Sequence, residues 1–385
     1  MNLRSFFKPH ASSFILQNKN WETTQIGSFA QIHSPNFFPN IKESRIALFN
    51  VPEYEGSQNE MSNENCKIRS FLYSFHFKFN LQIIDLGILN IQKERKNTFE
   101  SIQKICEFLI EKNIIPIIIG GGHDISYAVY KAYASQNKFI TMTNIDSKFD
   151  IGTKDDNLNS FSHLGKIIAH KPSALFHLNH LAYQSYFVSE LAVEMFDEMF
   201  FDTMRLGDLK VNMHEIEPIM RNSDFLNFDI SSIQYQFASA NIYSSPNGLT
   251  GEEACKIMRY AGLSDKISSL GLFEYNQNLD KNGQTAFLIA EMIWYFLDGY
   301  NFRKNELNPN INNCTKFTVA FEDGKNEIIF YRSNTSGRWW MGVPINIDTN
   351  QTKKKYFVAC SYSDYEKANN GDIPQRWLKT INKFK

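Results

Sequence analysis

No stretch of this 385-residue chain reaches the roughly 18 consecutive apolar residues that a membrane-crossing helix needs. The first twenty residues also lack a continuous apolar run, since Lys8, His10 and Ser12 interrupt it, so no secretory leader is expected. Cysteine is sparse. The five thiols (Cys66, Cys106, Cys255, Cys314 and Cys360) are odd in number, widely spaced and free of any C-x-x-C pair. That pattern argues against a disulfide framework and a thiolate zinc site, and it points to a reducing, cytoplasmic setting. An excess of one charge is missing too. With 40 Lys and Arg against 41 Asp and Glu, the net charge of -1 gives neither nucleic acid nor an anionic membrane an electrostatic hold. No internal repeat is visible.

What is present suits a large folded protein. Hydrophobic residues make up 43% and charged residues 21%, as in ordinary globular chains. The 33 Phe and 17 Tyr are spread along the sequence rather than interleaved with Lys or Arg, and they read as core.

Residues 1–42 are polar and aromatic without period, so an irregular N-terminal segment is expected over the core. From Ser44 onward short apolar runs alternate with amphipathic stretches. Strands are predicted at Ile46 to Val51, Ile83 to Leu89, Ile114 to Ile119, Phe139 to Ile145, Ala174 to Leu178, Phe225 to Ile230 and Ser269 to Phe273. Helices are predicted at Thr98 to Lys112, Ile125 to Ala134, Glu190 to Met199, Gly251 to Ala261 and Gln284 to Leu297. Such alternation implies right-handed crossovers and a doubly wound, mainly parallel sheet in a three-layer α/β/α domain spanning 43–301. Residues 302–385 change character. Lys316 to Glu322 and Glu327 to Arg332 read as a hairpin around Gly324, and Arg338 to Val343 as a further strand with two tryptophans. A small C-terminal β appendage ending in a helix is expected there.

In doubly wound sheets, ligands bind beyond the carboxyl ends of the strands. The residues at those ends are His123 and Asp124, then Asp146, Lys148 and Asp150, then Asp229 and Ser231, then Glu274. Any one of them alone has a plain structural explanation: a half-buried histidine, a carboxylate capping a helix, a solvated strand-end charge. Four strands delivering acid or imidazole groups to one edge is a different matter. Asp146 and Asp150, four apart, repel unless a cation or proton lies between them. One His with three Asp is a nitrogen and oxygen donor set suited to a hard or borderline divalent ion.

Taken in order, Gly120-Gly121-Gly122-His123, Asp146-Ser147-Lys148-Phe149-Asp150 and Asp229-Ile230-Ser231 resemble the strand ends of the arginase (ureohydrolase) superfamily across roughly residues 110–300. Gly248-Leu249-Thr250, with Thr250 as a helix cap, and Glu274-Tyr275-Asn276 resemble two further family segments. Ile68-Arg69 is all that resembles its N-terminal one. The resemblance implies manganese and attack of activated water on a guanidinium or formimino carbon, most nearly as in formimidoylglutamases. The substrate would be a small amidine or guanidino compound, and the protein a homo-oligomer. It implies that His123, Asp146, Asp150 and Asp229 hold metal, that Glu274 grips the cationic amidine, and that His163 shuttles protons, with His170, His177 and His180 as neighbouring alternatives.

Two family ligands are replaced, by Lys148 and Ser231, and both belong to the second metal. One ion, or none, is therefore expected rather than two. The Lys148 ammonium is expected to lie where the missing ion would be, between Asp146 and Asp229. A binding or regulatory relative without turnover, and a structural subunit acting through the appendage, are the competing readings.

Overall fold

The structure, a computed structural model, describes residues 1–10, 21–57, 66–153, 157–321, 326–345 and 354–384. Strand β1 is Phe7–Lys8, β2 Gln31–Ile32, β3 Ile46–Val51, β4 Ile83–Leu89 and β5 Ile115–Gly120. Then follow β6 Ile140–Ile145, β7 Leu175–Tyr183, β8 Asp202–Arg205, β9 Phe225–Asp229 and β10 Ser269–Phe273. They form one sheet in the order β1-β4-β3-β5-β10-β9-β6-β7-β8, with β2 also on β4. All pairings from β4 to β8 are parallel.

The layers follow from alternation along strands buried on both faces. In β5, Ile115, Ile117 and Ile119 face a core shared with helices Cys66–Ser74, Gly251–Leu263 and Gln284–Asn301. Ile118 faces the opposite core, built with helices Arg95–Glu111 and Ile125–Ser135. Each fully buried side chain of this size contributes roughly 1.5–3 kcal/mol. The doubly wound α/β/α expectation is met, and Thr250 caps its helix through a reciprocal box with Glu253.

Two departures have physical causes. The N-terminal segment, expected to be irregular, contributes β1 and β2 to the edge of β4. Two-residue strands carry no readable period, yet an edge strand's amides need partners. The first segment is also fastened by His10, whose Nε2 lies 3.0 Å from Asp85 Oδ2. Strand β8 and helices Leu206–Val211 and Ile216–Asn222 were not anticipated, because they are too short for helical or alternating patterns to stand out.

After residue 301, Cys314–Phe321 (β11), Asn326–Ser333 (β12), Trp339–Ile345 (β13) and Lys354–Cys360 (β14) form an antiparallel meander with two terminal helices, Tyr362–Asn369 and Gln375–Lys383. Gly324 lies outside the described residues, though the strands flanking it pair as a hairpin would. Trp339 and Trp340 are buried. The meander docks on the chain just before β9. Arg221 donates to the carbonyls of Trp339 and Cys360, and Asn222 exchanges two 2.9 Å bonds with Ala359. Lys379 pairs with Asp202 at 2.9 Å, and Lys383 donates to the Phe176 carbonyl. These contacts lie at the amino ends of the strands, opposite the edge that carries the acidic residues.

Asp85 is a buried junction. It accepts from Arg69 Nε (2.7 Å), the Gly87 amide (2.9 Å), His10 and the Tyr73 hydroxyl. Burial alone would raise its carboxyl pKa, but the Arg69 and His10 charges hold it well below the usual range. Asp202 is held low in the same way by His177 and Lys379. Unfolded carboxyls take up protons near pH 4 while these folded ones do not. The unfolded state therefore binds more protons there, and the stability these groups supply falls as pH drops below about 4. Asp85→Ala, which takes the carboxylate from the buried Arg69 guanidinium, should cost about 3–5 kcal/mol in urea unfolding at pH 7. The wild-type midpoint should fall steeply on acidification below about pH 4.

Candidate metal centre

Register brings the strand ends into line. Ile119 pairs with Leu272, Leu272 with Phe228, and Phe228 with Ile145. One step further along each of the last three strands lie Phe273, Asp229 and Asp146, with Glu274 directly beyond Phe273. In sequence these strands are far apart. Strands β9 and β10 enter the middle of the sheet after β6, β7 and β8 are laid down, so the site forms where the winding reverses.

The glycine run between β5 and His123 has a steric cause. The Gly121 and Gly122 amides donate to the carbonyls of Val51 and Glu53, both at 2.9 Å. A Cβ on Gly121 would lie 1.9 Å from the Glu53 oxygen, a distance no side chain can occupy. The chain then turns so that His123 is fully buried.

His123 Nδ1 lies 3.1 Å from Asp229 Oδ2 and 3.3 Å from Asp146 Oδ2. One ligand atom from each of His123, Asp146, Asp150 and Asp229 falls within 4.8 Å of all the others. Atoms of His123, Asp150 and His163 meet the same limit. Because both groups share His123 and Asp150, they describe one centre rather than two. The His163 ring lies against that of His123, with centroids 4.0 Å apart and planes inclined by 33°. Its Nδ1 donates to the Ser160 carbonyl at 2.8 Å, so the bare lone pair is on Nε2, buried without a partner among the described residues. His170 lies instead against Tyr127 and Tyr130, and His177 pairs with Asp202. His180 is buried beside Phe149, and burial pushes its pKa down to about 4.

Glu274 is bolted in place. Its Oε1 accepts from the His123 amide (2.8 Å) and Ser160 Oγ (2.5 Å), and its Oε2 accepts from Ser57 Oγ (2.6 Å). Asn241 holds its carbonyl at 2.8 Å. Sequence reasoning missed Ser57 and Asn241, since hydroxyl and amide side chains in loops carry no distinguishing spacing. Asp150 and Glu274 both adopt left-handed backbone, with φ of 48° and 67°. Such conformations cost about 1–3 kcal/mol each and persist only where the surroundings dictate them.

Lys148 departs from expectation. Its ammonium does not lie between Asp146 and Asp229; it rests over aromatic rings, with the Tyr243 centroid 4.6 Å away. Among the described residues no carboxylate oxygen lies within 4.0 Å of it. The cause is local. Asp146 Oδ1 already accepts the Lys148 backbone amide at 3.1 Å, and Asp229 Oδ1 accepts the Ser231 amide at 2.7 Å. The outer carboxylate oxygens are thus satisfied without the side chain.

Sequence comparison places the chain among known proteins. A sequence profile described as "Arginase family" matches residues 59–298. The chain belongs to the arginase family. Formimidoylglutamases of Staphylococcus haemolyticus (strain JCSC1435) and Staphylococcus aureus (strain MRSA252) are 26% identical to it over 233 and 230 residues, covering 56% of this chain and 71% of theirs. Its fold is similar to that of Trypanosoma cruzi formiminoglutamase with manganese (TM-score 0.65, 16% identity, 72% of this chain and 99% of that one). The formimidoylglutamase of Bacillus subtilis subsp. subtilis str. 168 gives TM-score 0.65 and 16% identity over 78% of this chain and 98% of that one.

The residues of this arginase-family centre fit a divalent ion. Three carboxylates and an imidazole converge in a buried space, with one ligand atom from each within 4.8 Å of all the others. Without an ion, protons must serve. Burial disfavours the His123 imidazolium, yet hydrogen bonds to Asp146 and Asp229 hold its pKa well above the usual range. Burial and the Asp146 charge raise Asp150 well above the carboxylate range and also raise Asp229. Burial raises Asp146 as well, but His123 outweighs it and brings the carboxyl down to about 2. Metal binding must therefore displace protons. Titration calorimetry with manganese in buffers of different ionisation enthalpy should register proton release and an affinity that weakens as pH falls. Asp146→Asn should reduce manganese affinity by about 100-fold or more.

Proposed function

We propose that this protein is a hydrolase of a linear amidine or guanidine C–N bond, formimidoylglutamase-like in kind, working with one manganese ion. His123, Asp146, Asp150 and Asp229 would hold that ion. The observation that carries this reading is their convergence, in an arginase-family chain, at the edge of the sheet where the winding reverses. A bound divalent ion supplies Lewis-acid polarisation and a more acidic water.

The chain's own groups supply the rest. His163 Nε2, buried without a partner among the described residues, accepts a proton and returns it to the departing amine. Burial, followed by the His123 charge, lowers the His163 pKa well below the ordinary value, so the ring is neutral and able to accept. Glu274 sets a carboxyl group beside the site; burial and the Asp229 charge raise its pKa, while the hydrogen bonds it accepts from Ser160, Ser57 and the His123 amide favour its ionised form, the form that suits a cationic amidine. The overall change adds water across the C–N bond: a formimino group leaves as formamide and a guanidino group as urea, each with release of the amine.

A single ion is supported by the replacement of two ligands on one side only, at Lys148 and Ser231. The second reading, a relative that binds ligand without turning it over, draws on the same replacements. The two separate on metal content and turnover. We expect one tightly bound manganese per chain, and two would overturn the one-ion centre. The double substitution Lys148→His with Ser231→Asp should raise the stoichiometry to two. With formimidoylglutamate, 4-guanidinobutyrate, agmatine and arginine as the panel, at least one should be hydrolysed only with manganese. His163→Ala should lower kcat about 10²–10⁴-fold. Substrate binding without turnover at any metal supply would favour the second reading.

A further inference from the structure

Three loops, following β6, β7 and β9, meet around the Lys148 ammonium. Its Nζ lies 4.6 Å from the ring centroid of Tyr243 and 5.5 Å from those of Phe161 and Phe187. Phe161 and Tyr243 pack edge to face at 5.3 Å. None of these rings belongs to the hydrophobic cores of the protein. Phe187 is 43% exposed, and Lys148, Phe161 and Tyr243 are half-buried, so the cluster stands at the boundary with solvent.

The cage is tied to the metal centre beneath it. Lys148 lies between Asp146 and Asp150, and Phe161 lies between Ser160 and His163. Tyr243 donates its amide to Asn241 Oδ1, and Asn241 holds the Glu274 carbonyl. Gln184 donates its amide to the Ser147 carbonyl and its side chain to the Asn247 carbonyl, both at 3.0 Å, joining the three loops. Ring faces attract an ammonium, which fixes its position, but they accept little of its hydrogen-bonding capacity. Among the described residues the Lys148 ammonium has neither a hydrogen bond nor an ion pair. A fixed positive charge with unspent donors at the rim of a centre built for a cation repels a ligand that is cationic at both ends. It attracts one whose far end is an anion.

We propose that Lys148 is a specificity-determining residue whose caged ammonium binds a carboxylate at the far end of the substrate, restricting the enzyme to amidino or guanidino acids. The assignment rests on the hydrolase reading above and narrows its substrate class. It also gives a role to a side chain that stands where the family pattern has a metal ligand.

Two kinds of measurement on the manganese-loaded protein test it. In kinetics, 4-guanidinobutyrate is compared with butylguanidine, which has a methyl group in place of the carboxylate, and with agmatine, which ends in an ammonium. The carboxylate compound should have the highest kcat/KM. Lys148→Met and Lys148→Gln should lower its kcat/KM relative to that of butylguanidine by about tenfold or more, mainly through KM. Lys148→Arg should keep the preference. Unchanged ratios in both neutral variants, or agmatine as the best of the three, would overturn the assignment. In binding, calorimetric titration with glutarate needs no turnover: affinity should fall in Lys148→Met and persist in Lys148→Arg. Glutarate binding that survives Lys148→Met but is lost in Asp146→Asn would put the anion on the metal and refute the proposal. Should no compound be hydrolysed, the hydrolase reading fails while the glutarate titration still decides the role of Lys148.

Discussion

Three carboxylates buried together at one edge of a sheet cannot all be charged unless something positive lies among them. Much of the architecture around Asp146, Asp150 and Asp229 answers that constraint. The His123 imidazole is pressed between two of them, and reaching that position requires the chain to turn hard against the Glu53 backbone, where only glycine passes. Asp150 and Glu274 accept left-handed backbone to face the same space, and serine hydroxyls from two other loops clamp Glu274. The strain is tolerated because two layers of fully buried aliphatic side chains hold the strands beneath in register.

The two sides of the centre are unequal. On the His123 side the inner carboxylate oxygens converge within ligand distance. On the other side, the outer oxygens of Asp146 and Asp229 are occupied by amides of their own turns, and the residues that follow are lysine and serine. Freed from contact with the carboxylates, the Lys148 ammonium is stabilised by aromatic faces instead. The lysine at this position thus places a positive charge at the rim.

The C-terminal meander is built on separate physics. Its core is its own, and its attachment uses side chains of Arg221 and Asn222 that satisfy carbonyl and amide groups of β13 and β14. That attachment is at the amino ends of the strands, so the appendage leaves the acidic edge open.

Sequence alone determined much of this. Apolar runs bounded by glycine and polar residues gave the parallel strands and their helices, because burial on both faces leaves a continuous hydrophobic signature. The position of His123, Asp146, Asp150, Asp229 and Glu274 just past those runs gave the candidate site, since strand ends are where a doubly wound sheet exposes its chemistry. Short elements escaped: β1, β2 and β8 have too few residues to show a period. Tertiary structure alone decided the rest. Strand order, with β9 and β10 inserted between β5 and β6, is set by packing between distant segments and leaves no local trace. Which histidine joins the centre, and where a long flexible lysine puts its charge, depend on contacts such as His163 with His123 and Lys148 with Tyr243, between residues far apart in sequence. A side chain's environment is a property of the assembled fold, and no spacing rule encodes it.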